Sequence, residues 1–402
     1  MRKSIIAPLL IAVSLFAARA ATAHGIPSEI AELRRRVAAI RADLPNVTAA
    51  ADYATDIFTR DPAARFLFSA TRSPALFSEF AWHTGASPEM RNADDAAARG
   101  VVVYPVAAWE SNGLTVAMLL DRWQSAGRPV IVIGSTADKP TFSTLRWLIT
   151  NGAPDGSRAN AAINGVANMI AAWTLYVEFV ASATRHHWQP GIYVSNLVPE
   201  ADDSNYRVRF RVPAGAVPVT PIPAGELGTQ YLDRIDSLLT VAARPRHVTL
   251  VQRAADSLRT VRAAGHRLFV AGCADYLSTF VVTDTAASSF RPWNGREGAA
   301  PELLQAQEVR ANDGVLWFGY AGYDCPHVQP SQPFQDAGVR VVVVSDRLLD
   351  KLPANVMVAV PLGWQLPEHI GKVPFDPEGV GSASSVDAAL HYLWIRRLVA
   401  TR

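Results

Sequence analysis

The sequence predicts an α/β protein made of two doubly wound parallel-sheet domains of the three-layer, flavodoxin type, arranged in tandem. Three observations predict it. Short continuous runs of β-branched and aromatic residues alternate with helical patterns, as expected of parallel strands buried on both faces by crossover helices. The same order of elements occurs twice along the 402 residues. Between the two passes lies a proline-rich stretch with neither pattern, which marks an extended connector.

In the first pass, helical periodicity covers residues 28–43 and 50–59 and is followed by the strand Arg65-Phe66-Leu67-Phe68. A helix over 74–84, the strand Val101-Val102-Val103-Tyr104, a helix over 114–125 and a strand over 130–133 come next, and a long helix over 164–184 closes the half. The second pass opens with helices over 230–242 and 254–263 and the strand Arg267-Leu268-Phe269-Val270. It continues with a helix over 277–284, the strand Val315-Leu316-Trp317-Phe318, a helix ending before Gly338, a strand over 339–344 and a closing helix over 385–399. Ser384 or Ser385 suits the N-cap of that last helix, since a hydroxyl there can accept from an orphan N–H of the first turn. The connector, 207–228, contains Val212-Pro213, Val217-Pro218, Thr220-Pro221 and Ile222-Pro223, and each proline holds the preceding residue extended. The domains are therefore 24–206 and 229–402.

Residues 1–23 read as a signal peptide. Arg2 and Lys3 supply the charged start, Ile5 to Ala17 an apolar stretch, and Ala21-Thr22-Ala23 a small-residue cleavage site. The apolar stretch is short for a bilayer, and no later run reads as long and apolar enough to cross one. The mature chain is expected to be exported, periplasmic or extracellular, without stable membrane insertion. Cleavage removes Arg2, Lys3 and Arg19, leaving 35 basic residues against 36 acidic ones. Nothing in that balance suggests nucleic acid, which needs a clustered basic face. Cys273 and Cys325 are the only thiols, too few for a disulfide scaffold or a cysteine zinc site. His186 and His187 are adjacent and diverge on a helix, and no His-x-x-x-His occurs. His24, if it becomes the first residue, would offer an amine and an imidazole to copper, but without the further ligands a metal needs. No metal and no cofactor is called for.

In a doubly wound sheet, ligands sit at the carboxyl ends of the strands, where helix N-termini present unpaired N–H groups to anions. After the first strand the chain reads Ser69-Ala70-Thr71-Arg72-Ser73-Pro74-Ala75-Leu76-Phe77-Ser78-Glu79-Phe80. This resembles the turn of the sugar isomerase (SIS) domain family, a Gly-x-Gly-x-Ser pattern followed by a helix carrying a Glu. The helix Asn164 to Val180, the strand Gln189-Pro190-Gly191-Ile192-Tyr193-Val194-Ser195-Asn196 and the acidic turn Glu200-Ala201-Asp202-Asp203-Ser204-Asn205 resemble the close of SIS domains. The resemblance covers nearly all of the first half. Ser69 and Thr71 stand where the family has glycines, so side chains crowd a ligand there while adding hydroxyl donors. Trp109-Glu110-Ser111-Asn112-Gly113 keeps a hydroxyl and an amide at the family's second signature turn. The second half resembles a degenerate copy: Gly272-Cys273-Ala274-Asp275-Tyr276 and Tyr320-Ala321-Gly322-Tyr323-Asp324-Cys325 have lost the serines.

The resemblance implies a phosphosugar-binding fold and nominates residues for it. Ser69, Thr71, Arg72, Ser73, Ser111, Asn112, Ser135 and Thr136 are the candidate ligand contacts. Ser73 has a second reading as the N-cap of a helix with Pro74 at its first position, and Arg72 a second reading as a solvated loop arginine. Glu79, with His83 four residues on and on the same helix face, is the candidate acid/base group for aldose–ketose isomerisation. The competing reading makes Glu79 a surface residue or a partner of Arg72 or His83. Cys273 and Cys325 follow neighbouring strands of the second half, so an exported chain is expected to join them in a disulfide, the alternative being two separate thiols. The functional expectation is an exported protein that binds a sugar or sugar phosphate, in its enzymatic version an aldose–ketose isomerase; the alternative is a non-catalytic sensing or scaffold module. The two halves are expected to pair as an intramolecular pseudo-dimer, with a homodimer as the other assembly.

Overall fold

The computed structural model describes residues 27–401 apart from 83–85, 87–89, 107–112, 141, 143–144, 157–160, 194–218, 273–276, 278–279, 281–288, 293–308, 320–322, 325–329, 348–350, 365–369 and 374–375. The first half comprises α1 (Ser28–Ala42), α2 (Leu44–Arg60), β1 (Arg65–Phe68), α3 (Pro74–Trp82), β2 (Met90–Asn92), β3 (Gly100–Pro105), α4 (Gly113–Ser125), β4 (Val130–Gly134), β5 (Trp147–Thr150) and α5 (Ala161–Arg185). The second comprises α6 (Glu226–Ala242), α7 (Pro245–Ala263), β6 (Leu268–Gly272), β7 (Arg291–Pro292), β8 (Gly314–Gly319), α8 (Ser331–Asp336), β9 (Arg340–Ser345), β10 (Val356–Pro361), the strands β11 (Gly371–Val373) and β12 (Asp376–Val380), and α9 (Ser384–Ala400).

Each half holds a five-stranded sheet, ordered β2-β1-β3-β4-β5 in the first and β7-β6-β8-β9-β10 in the second. All the pairings in both sheets are parallel. Strand for strand the two orders are the same, so the repeat seen in the sequence is a repeat of topology. Side chains alternate between two apolar layers, as the period-2 geometry of a strand requires. Phe66, Phe68, Val101, Val103, Ile131 and Ile133 face one core, while Leu67, Val102, Tyr104, Val130 and Val132 face another. Leu268, Val270, Leu316, Phe318, Val342 and Val344 of the second sheet join that first core. One core therefore runs through both halves.

The helices between the sheets explain why. α1 packs on α6 and α5 on α9, each pair being equivalent elements of the two halves, while α5 also meets α6 and α1 meets α9. Such reciprocal contact is the pattern of an isologous interface. Polar ties cross it as well. Arg41 pairs with Asp233 and Asp236, both at 2.8 Å, and Arg397 pairs with Glu29. Glu178, fully buried on α5, accepts from the N–H groups of Gly225 at 2.8 Å and Gly228 at 2.7 Å and from Thr48 Oγ1 at 3.0 Å. Gly225 opens α6 at φ 82° with no side-chain cap, so a carboxylate of the first half satisfies the orphan donors of a helix in the second. A Cβ at Gly228 would stand 2.6 Å from Leu44 Cδ1 and 3.0 Å from Glu178 Oε1, which is why the backbone comes so close.

Several sequence expectations are corrected. The stretch 207–228 is not all connector, because its last residues already belong to α6. Neither Ser384 nor Ser385 is the N-cap of α9; Ala383 is, and the two serines lie in the first turn. One later helix, Ala162–Arg185, is by length and composition long enough and apolar enough to cross a membrane, yet every residue of its apolar window is buried inside the protein. Its apolar character follows from lying at the centre of a core that two halves share.

Candidate functional site

At the carboxyl end of β1 the turn is folded around Asp94, which follows β2. Ser69 is buried, and its hydroxyl lies 3.1 and 3.0 Å from the two carboxylate oxygens of Asp94. Thr71 donates to Asp94 Oδ2 twice, from its N–H at 3.2 Å and from its hydroxyl at 3.0 Å. The Arg72 N–H donates to Ser69 Oγ at 3.0 Å. Ser73 is buried with its hydroxyl donating to the Ser69 carbonyl at 3.1 Å, while its own carbonyl accepts from the Phe77 N–H at 2.9 Å and so begins α3. Asp94 is held in turn by its chain. Asn92 Oδ1 accepts from the N–H groups of Ala70 at 3.1 Å and Asp94 at 3.0 Å, and Arg128 donates to the carbonyls of Ala93, Asp95 and Ala96 at 2.8 to 2.9 Å. Arg72 is half-buried and forms no ion pair among the described residues.

Two strands away, Ser135 is fully buried after β4. It accepts from the Ala137 N–H at 3.0 Å and donates to the Ala153 carbonyl at 2.5 Å, closing a short 3-10 turn. Thr136 is exposed beside it. Ser69, Thr71, Arg72 and Ser73 thus share one turn, and Ser135 and Thr136 lie on the same rim about 10 Å across the sheet, two interstrand spacings on. His83, Ser111, Asn112, Cys273 and Cys325 lie outside the described residues.

Glu79 lies neither in solvent nor in an ion pair with Arg72. It is fully buried, accepting from Trp173 Nε1 on α5 at 2.9 Å and from Ser385 Oγ on α9 at 2.8 Å. Phe80 beside it stacks on Phe68 with centroids 4.9 Å apart and tilts against Trp173 at 4.5 Å. Glu79 therefore joins both halves and offers no exposed surface to a substrate atom. This corrects its placement as a solvent-facing or Arg72-paired residue. A sequence signal for the burial existed: the nine residues Pro74–Trp82 are mostly apolar, and Glu79 shares the buried side of the helix with Leu76 and Phe80.

No protein-family model matches the chain, and no curated protein matches its sequence at a significant level. Solved structures do match its shape. A provisionally named sugar-binding protein from Salmonella typhimurium LT2 is 9% identical with a TM-score of 0.52, over 91% of this chain and 98% of that one. A provisionally named phosphosugar isomerase from Silicibacter pomeroyi DSS-3 is 13% identical with a TM-score of 0.51, over 93% and 96%. Tagatose-6-phosphate ketose/aldose isomerase from Escherichia coli is 9% identical with a TM-score of 0.50, over 94% and 92%. The chain has the SIS-type fold. The match spans both sheets.

Within this SIS-type fold, three polar groupings escaped the sequence reading because their members lie far apart in the chain. Asp94 is the first, 25 residues from Ser69. Asn151, in the turn after β5, donates from Nδ2 to Asn168 Oδ1 on α5 at 2.8 Å, and Asn168 Nδ2 donates to the Val106 carbonyl at 3.0 Å. The third is in the second half, where His247 on α7 meets His391 on α9, Nε2 to Nε2 at 2.6 Å. His391 Nδ1 lies 3.1 Å from Asp387 Oδ1, whose other oxygen accepts from the N–H groups of Gly363 at 2.6 Å and Trp364 at 3.2 Å. Burial first, and then the neighbouring His391, push His247 down to about 3 against the opposing pull of Asp387.

Proposed function

We propose that the protein is an exported carbohydrate-derivative-binding protein whose sugar or sugar-phosphate ligand rests on the carboxyl rim of the first sheet. The observation that carries this reading is the strand-end turn Ser69 to Ser73, at the place where doubly wound sheets take ligands, in a fold shared along the whole chain with proteins named for sugar binding and phosphosugar isomerisation. Thr71, Arg72 and Thr136 are the rim groups open to solvent, and Ser111 and Asn112 are assigned to the same rim from the sequence. The two halves act as one intramolecular pseudo-dimer, consistent with their reciprocal helix contacts. Export rests on residues 1–23.

Binding is favoured over turnover by one observation. Aldose–ketose isomerisation needs a base within about 3 Å of the proton it moves, and Glu79 is enclosed with both oxygens accepting hydrogen bonds from the protein. The test is a thermal-shift and turnover panel of aldoses, ketoses and their phosphates on the mature chain. Saturable binding without interconversion is the expected result, weakened by Ser111→Ala and Asn112→Ala. Isomerisation abolished by Glu79→Gln would restore the enzymatic reading, and a chain that binds no member of the panel would leave the scaffold reading.

A further inference from the structure

We infer that the ligand of this rim is an uncharged sugar, because Asp94 already fills the place a phosphate would occupy. The inference rests on the sugar-binding reading and narrows its ligand class. A phosphate is held by a cluster of N–H and O–H donors. In the β1 turn those donors are Ser69 Oγ, Thr71 N–H and Thr71 Oγ1, and all three point at the Asp94 carboxylate, at 3.0 to 3.2 Å. The remaining hydroxyl, Ser73 Oγ, and the N–H groups of Arg72 and Ser73 are spent on Ser69 itself, and the Ala70 N–H on Asn92.

Asp94 is not a loose side chain that a ligand could displace. Asn92 clamps its backbone and that of Ala70 with one amide oxygen, the Ala93 N–H donates to the Phe68 carbonyl at 2.9 Å, and Arg128 grips three carbonyls around it. Arg128 is thereby committed to the backbone, and no described lysine or arginine forms an ion pair with Asp94. A phosphate arriving here would meet a fixed negative charge and find the hydroxyl and amide donors of the turn already engaged, with only the half-buried Arg72 guanidinium left to meet it. A sugar hydroxyl meets the opposite situation. It donates to a carboxylate lone pair and accepts from or donates to the exposed Thr71 hydroxyl, so a turn that repels phosphate receives a polyol.

The experiment is calorimetric titration of the mature chain with D-glucose, D-fructose, D-galactose and N-acetyl-D-glucosamine, each beside its 6-phosphate, and with inorganic phosphate. The preferred free sugar should bind at least ~100-fold more tightly than its phosphate, the order expected when a like charge approaches a fixed, partly buried carboxylate. In Asp94→Ala, which vacates the cradle, phosphate affinity should rise at least tenfold. A parent that prefers the phosphate, or is indifferent to it, overturns the inference while leaving sugar binding intact. So does a folded Asp94→Ala chain with an unchanged ratio. Should that variant fail to fold, the parent ratio alone decides. A chain that binds neither member of any pair fails the sugar-binding reading itself, and the inference falls with it.

Discussion

Acid should weaken the junction of α7 and α9, with His247 responsible. Its imidazole is nearly enclosed and stands 2.6 Å from His391, Nε2 to Nε2, with ring centroids 4.9 Å apart and Trp394 beside both rings. A contact that short holds one hydrogen between the two Nε2 atoms. Burial first, and then the neighbouring His391, push His247 from 6.5 down to about 3. The folded value lies below the unfolded one, so the contribution is complete above pH 6.5 and is lost as the pH falls from 6.5 towards 3. The loss grows by about 1.4 kcal/mol per pH unit once the unfolded chain is protonated. At pH 5.0 it comes to about 2 kcal/mol, a figure that holds for any folded value below about 4. Urea denaturation at pH 7.5 and 5.0 should show this in the parent. His247→Gln, with an amide that can still donate to His391, should be less stable at pH 7.5 but should lose about 2 kcal/mol less on acidification. Groups other than His391 and Asp387, which touch the site, cancel in that difference. Equal losses in parent and variant would refute the assignment.

Two further predictions follow from the join and from the thiols. Glu178→Ala strips the acceptor from Gly225, Gly228 and Thr48 and leaves the two buried donors, Gly228 N–H and Thr48 Oγ1, unmet at roughly 1 to 3 kcal/mol each before relaxation; a urea midpoint unchanged from the parent would contradict the trans-capping role. Thiol labelling of the unfolded, unreduced protein should find no reactive cysteine, as the expected Cys273 to Cys325 bridge requires, and two labelled thiols per chain would exclude it.

The central strands were legible because each is a continuous β-branched run. Arg65–Phe68 is found at the predicted residues, and β3, β4, β8 and β9 differ from the predicted strands by a residue or two. The edge strands were not. Met90–Asn92 and Arg291–Pro292 have three and two residues with no apolar run, whereas Val356–Pro361, Val-Met-Val-Ala-Val-Pro, is an apolar run that the sequence reading left unassigned. The rim turn could be located, since strand-end geometry follows from the fold, but what its hydroxyls face could not. Asp94 lies in a polar stretch, Asn92-Ala93-Asp94-Asp95, that reads as an ordinary loop until β2 pairs beside β1 and carries it over the turn. Glu79 was named as the acid/base candidate, with a surface position as the alternative, and its enclosure could not be read because its partners Trp173 and Ser385 are 94 and 306 residues away.

The two halves solve one structural problem with different chemistry, and the difference separates their roles. In each, the turn after the last main-sheet strand is pinned from inside by a buried polar residue on the closing helix. In the first half the pin is Asn168, whose amide meets the amide of Asn151. In the second it is Asp387, whose carboxylate takes the N–H groups of Gly363 and Trp364. A neutral amide pair needs no counter-charge. The backbone N–H groups supply the donors this buried carboxylate needs at Oδ2, while His391, one turn along α9, donates from Nδ1 to the Asp387 carbonyl at 2.8 Å and meets His247 through Nε2. The His247–His391 pair therefore lies in the second half, and the amide pair that pins the last turn of the first half carries no titrating group. Both closing helices lie in one shared core, and α9 also carries Ser385, the partner of Glu79, so the closing helix of the second half helps to seat α3 behind the Ser69 to Ser73 turn.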